Sequence, residues 1–157
     1  SVNVYICNKS NLINNLYKLQ NYGEVLIEKF IPGREIQVAI FGSQKLGAIE
    51  LKPKRKFYDY EAKYNPNAKT EHIIPIKISK KNYNKVTDLA LKAHNILQCR
   101  GVTRSDFRFY KDRFYLLETN TQPGMTSLSL VPEIANYNNI SFIQLIEKII
   151  KDASINK

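Results

Sequence analysis

Apolar and polar residues alternate along several short segments of the chain and recur at helical spacing along others. Alternation with a period of two predicts strands, and apolar residues three or four apart predict helices. The predicted strands are residues 25–30, 35–41, 45–51, 73–78, 102–110 and 113–120. The predicted helices are residues 11–20, 79–98 and 127–136, with a last helix that begins at Ser141. The pattern indicates an α+β fold.

Turn-forming and capping residues mark the ends of these elements. Gly42 and Ser43 supply a turn between two strands, and Pro75 restricts the strand that contains it to a sheet edge. Ser141 opens a capping box, and we expect the helix that follows to pack against the core. Ser79 caps the long helix, whose predicted buried face consists of Tyr83, Val86, Ala90, Ala93 and Leu97. We expect Pro132 to disturb the helix at residues 127–136.

The last two predicted strands bring a cation, two carboxylates and an amide to one place. Residues two apart in a strand share a face, so Arg104 projects with Asp106, and Glu118 with Asn120. A three-residue turn at residues 111–113 would set Asp106 opposite Glu118 and Arg104 opposite Asn120. A two-residue turn would shift the pairing by one position and scatter the cluster, because a one-residue slip moves every side chain to the other face.

This cluster has the chemistry of a metal site. Carboxylate and amide oxygens are hard ligands of the kind that Mg²⁺ prefers, and substrate phosphates often complete its coordination. Repulsion makes two adjacent carboxylates costly unless a cation lies between them. A break at Pro123 and Gly124 follows directly. The alternative interpretation is an exposed hairpin edge with ordinary surface charges.

Length and composition suit one domain or a large piece of one. The chain has 157 residues, of which 43% are hydrophobic and 24% charged, enough to bury a core. No apolar run approaches the roughly 20 residues that span a bilayer. The start lacks a signal peptide and an initiator Met, so we expect an internal start. Cys7 and Cys99 are expected to be reduced thiols, and His72 and His94 to be structural or solvent-facing.

The formal net charge of +10 raises the question of nucleic-acid binding. Most of the positive charge is lysine spread along the chain. The densest patch, residues 52–56, leads into an aromatic and charged stretch at residues 57–64. Residues 52–70 are predicted to form a long loop. Its basic and aromatic segment could bind single-stranded nucleic acid, close over a nucleotide's phosphates, or simply be solvated.

Four blocks of sequence have a recognisable order and spacing. They are EKFIPGRE at residues 28–35, FYDYEAKY at 57–64, CRGVTRSD at 99–106 and LLETNTQPGMTSLSLVP at 116–132. Together they resemble the D-alanine–D-alanine ligase family, ATP-grasp enzymes of peptidoglycan precursor synthesis. The resemblance covers residues 24–150 and implies the C-terminal half of such a ligase. Residues 1–34 would be a remnant of the small ATP-grasp subdomain. Residues 35–157 would be the C-terminal subdomain, a largely antiparallel sheet flanked by helices that carries the metal and substrate site.

The resemblance assigns nucleotide-binding roles to several residues. Glu28 would accept a hydrogen bond from the adenine amine, Glu35 would accept from the ribose hydroxyls, and Phe57 would pack near the base. The backbone that reads the adenine edge would belong to Lys29, Phe30 and Ile31. Lys63 and Tyr64 would lie on a mobile loop that closes over the phosphates and the first D-alanine, and closure of this kind excludes water.

The resemblance also implies a two-step reaction. The carboxylate of one D-alanine attacks the γ-phosphate of ATP, and the amine of a second D-alanine attacks the resulting acyl phosphate. Asp106, Glu118 and Asn120 would hold two Mg²⁺ (or Mn²⁺) ions. The residues placed around the reacting groups would be Arg104 and the Gly124 N–H at the oxyanion, Ser129 and Leu130 at the second carboxylate, and Ser1, which resembles part of the family's Ser-Ser-Val-Gly loop with Asn3 in place of Gly.

The partners implied are ATP and D-alanine, with no nucleic acid and no membrane. A cytoplasmic location is expected, and a homodimer for the full-length enzyme. The chain would need its N-terminal half for activity. Two alternatives from other classes are a basic nucleic-acid-binding module, with residues 52–63 carrying the affinity, and an inactive ligase remnant.

Overall fold

A computed structural model of the chain describes residues 3–53, 70–126 and 128–154. The chain divides into two compact units, one formed by Ser1–Ile31 with Pro53–Thr70 and the other by Pro32–Lys52 with Glu71–Lys157. The described part of the first unit contains helix α1 (Leu12–Leu19), followed by a 3₁₀ turn at Gln20–Tyr22. This confirms the helix predicted at residues 11–20.

An antiparallel five-stranded sheet organises the second unit, which confirms the predicted fold class. Its strands are β1 (Arg34–Phe41), β2 (Gln44–Lys52), β3 (Glu71–Ile73), β4 (Val102–Tyr110) and β5 (Arg113–Asn120), in the spatial order β3-β2-β1-β4-β5. The helices of this unit are α2 (Lys80–Ile96), α3 (Leu130–Tyr137) and α4 (Phe142–Asp152). Among the described residues, none of the helices has both the length and the apolarity needed to cross a bilayer.

The core lies between one face of the sheet and α2. Ile36 and Val38 of β1 and Phe107 of β4 are buried there against Val86 and Ala90 of α2. A fully buried phenylalanine typically contributes about 3–5 kcal/mol to stability relative to alanine. Because side chains alternate along a strand, Glu35 and Gln37 project from the opposite face of β1. On β4, Arg104, Asp106 and Arg108 project from that same second face, called here the polar face.

The long helix α2 starts and packs largely as its sequence predicts. The Ser79 hydroxyl accepts a hydrogen bond from the Asn82 N–H at the N-terminus. The predicted buried face is wrong in one part, because Leu97 is exposed whereas Thr87 and His94 are buried. Leu97 is the C-cap residue, just beyond the last helical turn.

Two strand predictions are corrected. Residues 25–30 pair with no strand among the described residues, and Leu26 and Ile27 are exposed. Alternating apolar residues form a strand only where a neighbouring backbone completes the hydrogen bonds. The edge strand predicted at 73–78 occupies Glu71–Ile73 instead; it ends before Pro75, which has no N–H to donate to a ladder.

The predictions for the last two helices are partly confirmed. Pro132 is buried in the first turn of α3, where a missing N–H leaves no helical hydrogen bond unmade, so it does not disturb the helix. The capping box of α4 is present, with the Ser141 hydroxyl accepting from Gln144 N–H. Leu145 of α4 is buried, but Phe142 and Ile143 remain exposed, so this helix packs with less of its surface than expected.

The turn between β4 and β5 differs from the prediction, although the register at the polar cluster is the predicted one. Lys111 and Asp112 form a two-residue turn, and both have positive φ. A bulge then makes Leu117 an extra residue on β5, so that Phe107 pairs with Leu116 but Asp106 pairs with Glu118. The bulge supplies the one-residue offset that a three-residue turn would have given.

The bulge also decides which way the cluster faces. Phe114 and Leu116 share the face of β5 that lies on the side of Phe107. In a regular strand Glu118 would follow them onto that face, because residues two apart point the same way. The extra residue reverses the alternation and turns Glu118 and Asn120 to the polar face.

Candidate functional site

Two rows of directly paired residues, called rungs here and consecutive on the polar face, assemble the candidate site. Gln37, Asp106 and Glu118 are paired across β1, β4 and β5. The next rung on the same face, two residues along, sets Arg104 opposite Asn120. Directly paired residues of an antiparallel sheet project from the same face, so the predicted cation, carboxylates and amide lie together. The placement of these four side chains agrees with the sequence prediction.

Arg104 and Asp106 form a buried bidentate ion pair. Arg104 Nε lies 2.8 Å from Asp106 Oδ1, and Arg104 Nη2 lies 3.0 Å from Oδ2. The side chains are only 13% and 8% exposed. A planar guanidinium bound through two parallel hydrogen bonds holds a carboxylate in a fixed orientation. In this arrangement Arg104 neutralises Asp106 and positions its oxygens.

Glu118 and Asn120 differ from Asp106 in their surroundings. Glu118 is exposed and has no ion-pair or hydrogen-bond partner among the described residues. Asn120 Oδ1 accepts a hydrogen bond from the Gln122 N–H at 2.9 Å, which orients the amide. One carboxylate is therefore held in place and the other is free to reorient.

The donor set fits a divalent cation bound together with phosphate. Asp106, Glu118 and Asn120 offer two carboxylates and one amide oxygen, which are the hard ligands of Mg²⁺ or Mn²⁺. The described residues contain no group of three or more His, Cys, Asp or Glu side chains that could hold a metal on its own. A site with few protein ligands suits Mg²⁺, which keeps waters and takes phosphate oxygens into its shell.

A second ion pair lies on the same face and was missed by the sequence reasoning. Arg108 Nη2 lies 3.1 Å from Glu35 Oε2, with the two side chains 13% and 10% exposed. Gln37 Nε2 in turn donates to Glu35 Oε1 at 3.4 Å. The signal was present in the alternation Glu35-x-Gln37 on β1, which repeats the pattern Arg104-x-Asp106 on β4. Glu35, a predicted ribose ligand, is thus held by two neighbours.

The loop after β5 places Gly124 against Ser129. The Ser129 hydroxyl accepts from the Thr126 N–H at 3.0 Å and lies 2.9 Å from Thr126 Oγ1. A Cβ on Gly124 would lie 2.8 Å from Ser129 Oγ, closer than real Cβ contacts. A side chain at residue 124 would therefore push the Ser129 hydroxyl away from its present position, so glycine permits the close approach of these two predicted catalytic positions. Ser129 is the N-cap residue of α3, but its hydroxyl serves the loop and makes no cap hydrogen bond.

A histidine ties α3 to the polar side of the sheet. His72 on β3 pairs with Leu51, which pairs with Glu35, so the three side chains share a face. His72 Nδ1 lies 2.7 Å from Glu133 Oε2 in the first turn of α3. The contact joins His72, expected to be structural or solvent-facing, to the helix that follows Ser129.

His94 confirms the structural role expected of it. It is 2% exposed, and its Nδ1 lies 2.8 Å from Thr103 Oγ1. Burial lowers the pKa of His94 below its usual value, because the charged imidazolium loses its hydration. Cys7 and Cys99 are free thiols, as expected.

The remaining predicted site residues fall into two groups. One group belongs to the first unit and forms neither helix nor strand: Glu28, Lys29, Phe30 and Ile31. The positions outside the described residues are Ser1, Phe57, Lys63 and Tyr64. The loop predicted at residues 52–70 falls mostly outside them too. Asn3 has φ +61°, a left-handed conformation that asparagine tolerates better than most residues and that glycine adopts freely.

Comparison with known proteins gives one consistent family. The family model described as the D-ala D-ala ligase C-terminus matches residues 1–151. The chain is 66% identical over 157 residues to a D-alanine–D-alanine ligase of Pelagibacter ubique, covering all of this chain and 52% of that relative. It is 47% identical over 142 residues to one of Xanthobacter autotrophicus, covering 87% of this chain and 46% of the relative.

Solved structures agree with the sequence comparison. The crystal structure of the Bacillus anthracis D-alanine–D-alanine ligase in complex with ATP matches with a TM-score of 0.78 and 28% identity, over 94% of this chain and 47% of that one. A second crystal structure of the same ligase matches with a TM-score of 0.80 and 32% identity, over 94% and 48%. The chain spans about half the length of the curated relatives it matches.

Proposed function

Because the chain belongs to the D-alanine–D-alanine ligase family, we propose that it supplies the metal- and phosphate-binding half of an ATP-dependent ligase that joins two D-alanine molecules. The observation that carries the proposal is the pair of rungs that sets Asp106 beside Glu118 and Arg104 beside Asn120. The product would be D-alanyl-D-alanine for peptidoglycan precursors, made in the cytoplasm.

In this proposal Asp106, Glu118 and Asn120 hold two Mg²⁺ or Mn²⁺ ions. When bound, such ions neutralise charge on the ATP phosphates during phosphoryl transfer. The ion pair of Arg104 with Asp106 keeps that carboxylate oriented for the cation. The free carboxylate of Glu118 can turn toward it without breaking a contact to another described residue.

Arg104, Gly124 and Ser129 act on the reacting substrates in this proposal. Arg104 holds Asp106 through its Nε and Nη2 groups, and in this proposal the same guanidinium also donates to the developing oxyanion. The Gly124 N–H would be the second oxyanion donor, and loss of one such donor typically lowers the rate by about 10²–10³. Ser129, with the neighbouring Leu130 amide, would bind the carboxylate of the second D-alanine.

The nucleotide-binding roles are proposed on family resemblance. Glu35 would accept from the ribose hydroxyls, supported by its fixed position between Arg108 and Gln37. The residues proposed around the base and phosphates are Glu28, Lys29, Phe30, Ile31, Phe57 and Lys63. Tyr64 and Ser1 are proposed on the substrate side.

The organisation and partners proposed for the whole protein also follow the family. Residues 1–34 would belong to the small ATP-grasp subdomain and residues 35–157 to the C-terminal one. The partners would be ATP and D-alanine, without nucleic acid or membrane, and the full-length enzyme would be a homodimer. The alternative of nucleic-acid binding by residues 52–63 falls almost entirely outside the described residues and stays a prediction.

A thermal-shift titration of the 157-residue chain with ATP and Mg²⁺ tests the proposal. A ligand at 100 times its Kd stabilises the folded state by about 2.7 kcal/mol, so binding should raise the melting temperature. Glu118→Gln should reduce this shift, because it removes a ligand charge. Glu147→Gln, the same change on the exposed side of α4, is the matched control and should leave the shift intact. No stabilisation, stabilisation independent of Mg²⁺, or an equal shift in Glu118→Gln would each contradict the proposal.

A further inference from the structure

Gln37 carries a buried hydrogen-bond acceptor without a partner. The residue is 1% exposed, and its Oε1 is the one fully buried side-chain nitrogen or oxygen in the described part of the chain that makes no hydrogen bond. An unsatisfied buried carbonyl is destabilising, and each such group in a native protein calls for an explanation, such as a catalytic role or a bound water or ion. No role was assigned to Gln37 from the sequence.

The neighbours of Gln37 explain why its side-chain carbonyl oxygen has no hydrogen-bond donor. On one side its Nε2 donates to Glu35, which is also paired with Arg108. On the other side it pairs in register with Asp106, whose two oxygens are engaged by Arg104. Rotating the amide by 180° would set Oε1 against the Glu35 carboxylate, so the observed orientation is the one that Glu35 favours.

A carbonyl oxygen beside a carboxylate lacks a donor and suits a hydrated cation. Asp106 and Gln37 Oε1 are both acceptors on one rung, with Glu118 as a third acceptor on the same rung. A cation held by the carboxylates would bring waters, and their O–H groups are donors with enhanced acidity. A second residue that hydrogen-bonds a metal-bound group orients the coordination shell.

We propose that Gln37 is a positioning residue for a divalent cation bound at Asp106 and Glu118: its amide N–H holds Glu35, and its buried Oε1 accepts a hydrogen bond from a water of the cation. The inference rests on the proposed function, because it requires that a cation bind this face. It adds a residue of β1 to a metal site whose predicted ligands lie on β4 and β5 alone.

Titration with Mn²⁺ in the presence of ADP, with free Mn²⁺ followed by its electron paramagnetic resonance signal, tests the role of Gln37. The 157-residue chain is compared with Gln37→Met, a near-isosteric change that removes the amide. Loss of such a second partner typically weakens metal affinity by about 10- to 100-fold. Urea unfolding without metal should show the stability of Gln37→Met unchanged or raised, because the unsatisfied carbonyl is removed.

Two further variants make the outcomes distinct. Gln44→Met, at the exposed start of β2, should keep wild-type Mn²⁺ affinity. Asp106→Asn should lose most of it. Wild-type affinity in Gln37→Met together with loss in Asp106→Asn would overturn the inference and leave the proposed function standing. The inference would also be overturned if Gln37→Met lost Mn²⁺ affinity and, without metal, lost stability or failed to fold. That combination would mark a structural role for Gln37. No Mn²⁺ binding by the wild-type chain would overturn both.

Discussion

His94 links the protonation of one buried side chain to the stability of the sheet it packs on. It contacts Thr103 of β4, the residue before Arg104. Its pKa is lowered by burial, so between the folded-state pKa and the unfolded value of about 6.5 the unfolded state binds more protons than the folded state. The contribution of the neutral, buried His94 to the free energy of unfolding is therefore complete above about pH 6.5. It is lost as the pH falls below that value.

Replacing His94 by Gln should therefore flatten the pH dependence of stability. The free energy of unfolding of the wild-type chain, measured in urea at pH 8 and pH 5, should drop by more than that of His94→Gln. The quantity compared is the change in the free energy of unfolding between pH 8 and pH 5. A loss of stability that is equal at both pH values does not affect it. Asn95→Gln, at the exposed residue next to His94 on α2, is the control and should keep the wild-type drop. An equal drop in His94→Gln would show that His94 is not the group responsible.

At the level of elements, the bulge in β5 allows two residue pairings that a regular hairpin could not form together. They are Phe109 with Phe114 and Asp106 with Glu118. The two-residue turn sets Phe109 opposite Phe114, and their rings stack with centroids 4.5 Å apart. The same register, continued, would pair Asp106 with Leu117. One extra residue at Leu117 keeps the aromatic pair and restores the rung of Asp106 with Glu118.

Two single-residue deletions in β5 should have opposite results. Deleting Leu117 removes the bulge but leaves Glu118 opposite Asp106 and Asn120 opposite Arg104. Deleting Thr119 shifts Asn120 by one position and turns it to the core face. We expect Mg²⁺-dependent stabilisation by ATP to survive the first deletion and to be lost in the second, measured by thermal shift. Loss in both deletions would indicate that the bulge itself, and not the register, is needed.

The sequence predicted the cluster correctly and the turn wrongly, for a physical reason. Alternation along a strand is a local property, so the pairs 104 with 106 and 118 with 120 could be read directly. The turn depends on whether Lys111 and Asp112 both accept positive φ, and the bulge depends on how aromatic side chains pack across the hairpin. Gln37 was missed because it becomes informative only once β1 is known to lie beside β4.

At the scale of the whole molecule, the predicted antiparallel α+β fold is confirmed, but the strand predicted at residues 25–30 is wrong. Residues 25–30 have the composition of a strand, yet pair with none among the described residues. Strand formation is a property of two segments, so composition alone could not decide it. Leu26 in this segment is 81% exposed, so its apolar side chain gains little burial from the described residues.

Activity should require the half of the ligase that this chain does not span. The 157-residue chain alone should not form ADP from ATP and D-alanine. Mixed with the separately produced remainder of the Pelagibacter ubique relative, which is 66% identical over the shared part, it should do so. A mixture containing Arg104→Ala should be slower by about 10²–10³, since an oxyanion donor is lost. Turnover by the chain alone, or none in the mixture despite complex formation, would contradict the expectation.

The position of β5 at the end of the sheet has a consequence for how the site would release its ions. Two of the three proposed ligands, Glu118 and Asn120, belong to this outermost strand, and the third belongs to its inner neighbour. A cation shared between them would cross-link the border of the sheet, where backbone opening is easiest. Amide hydrogen exchange in β5 should therefore slow when the ions bind, while exchange in β1 and β2 stays the same. Fraying of a single border strand could then free the ions and leave the core folded.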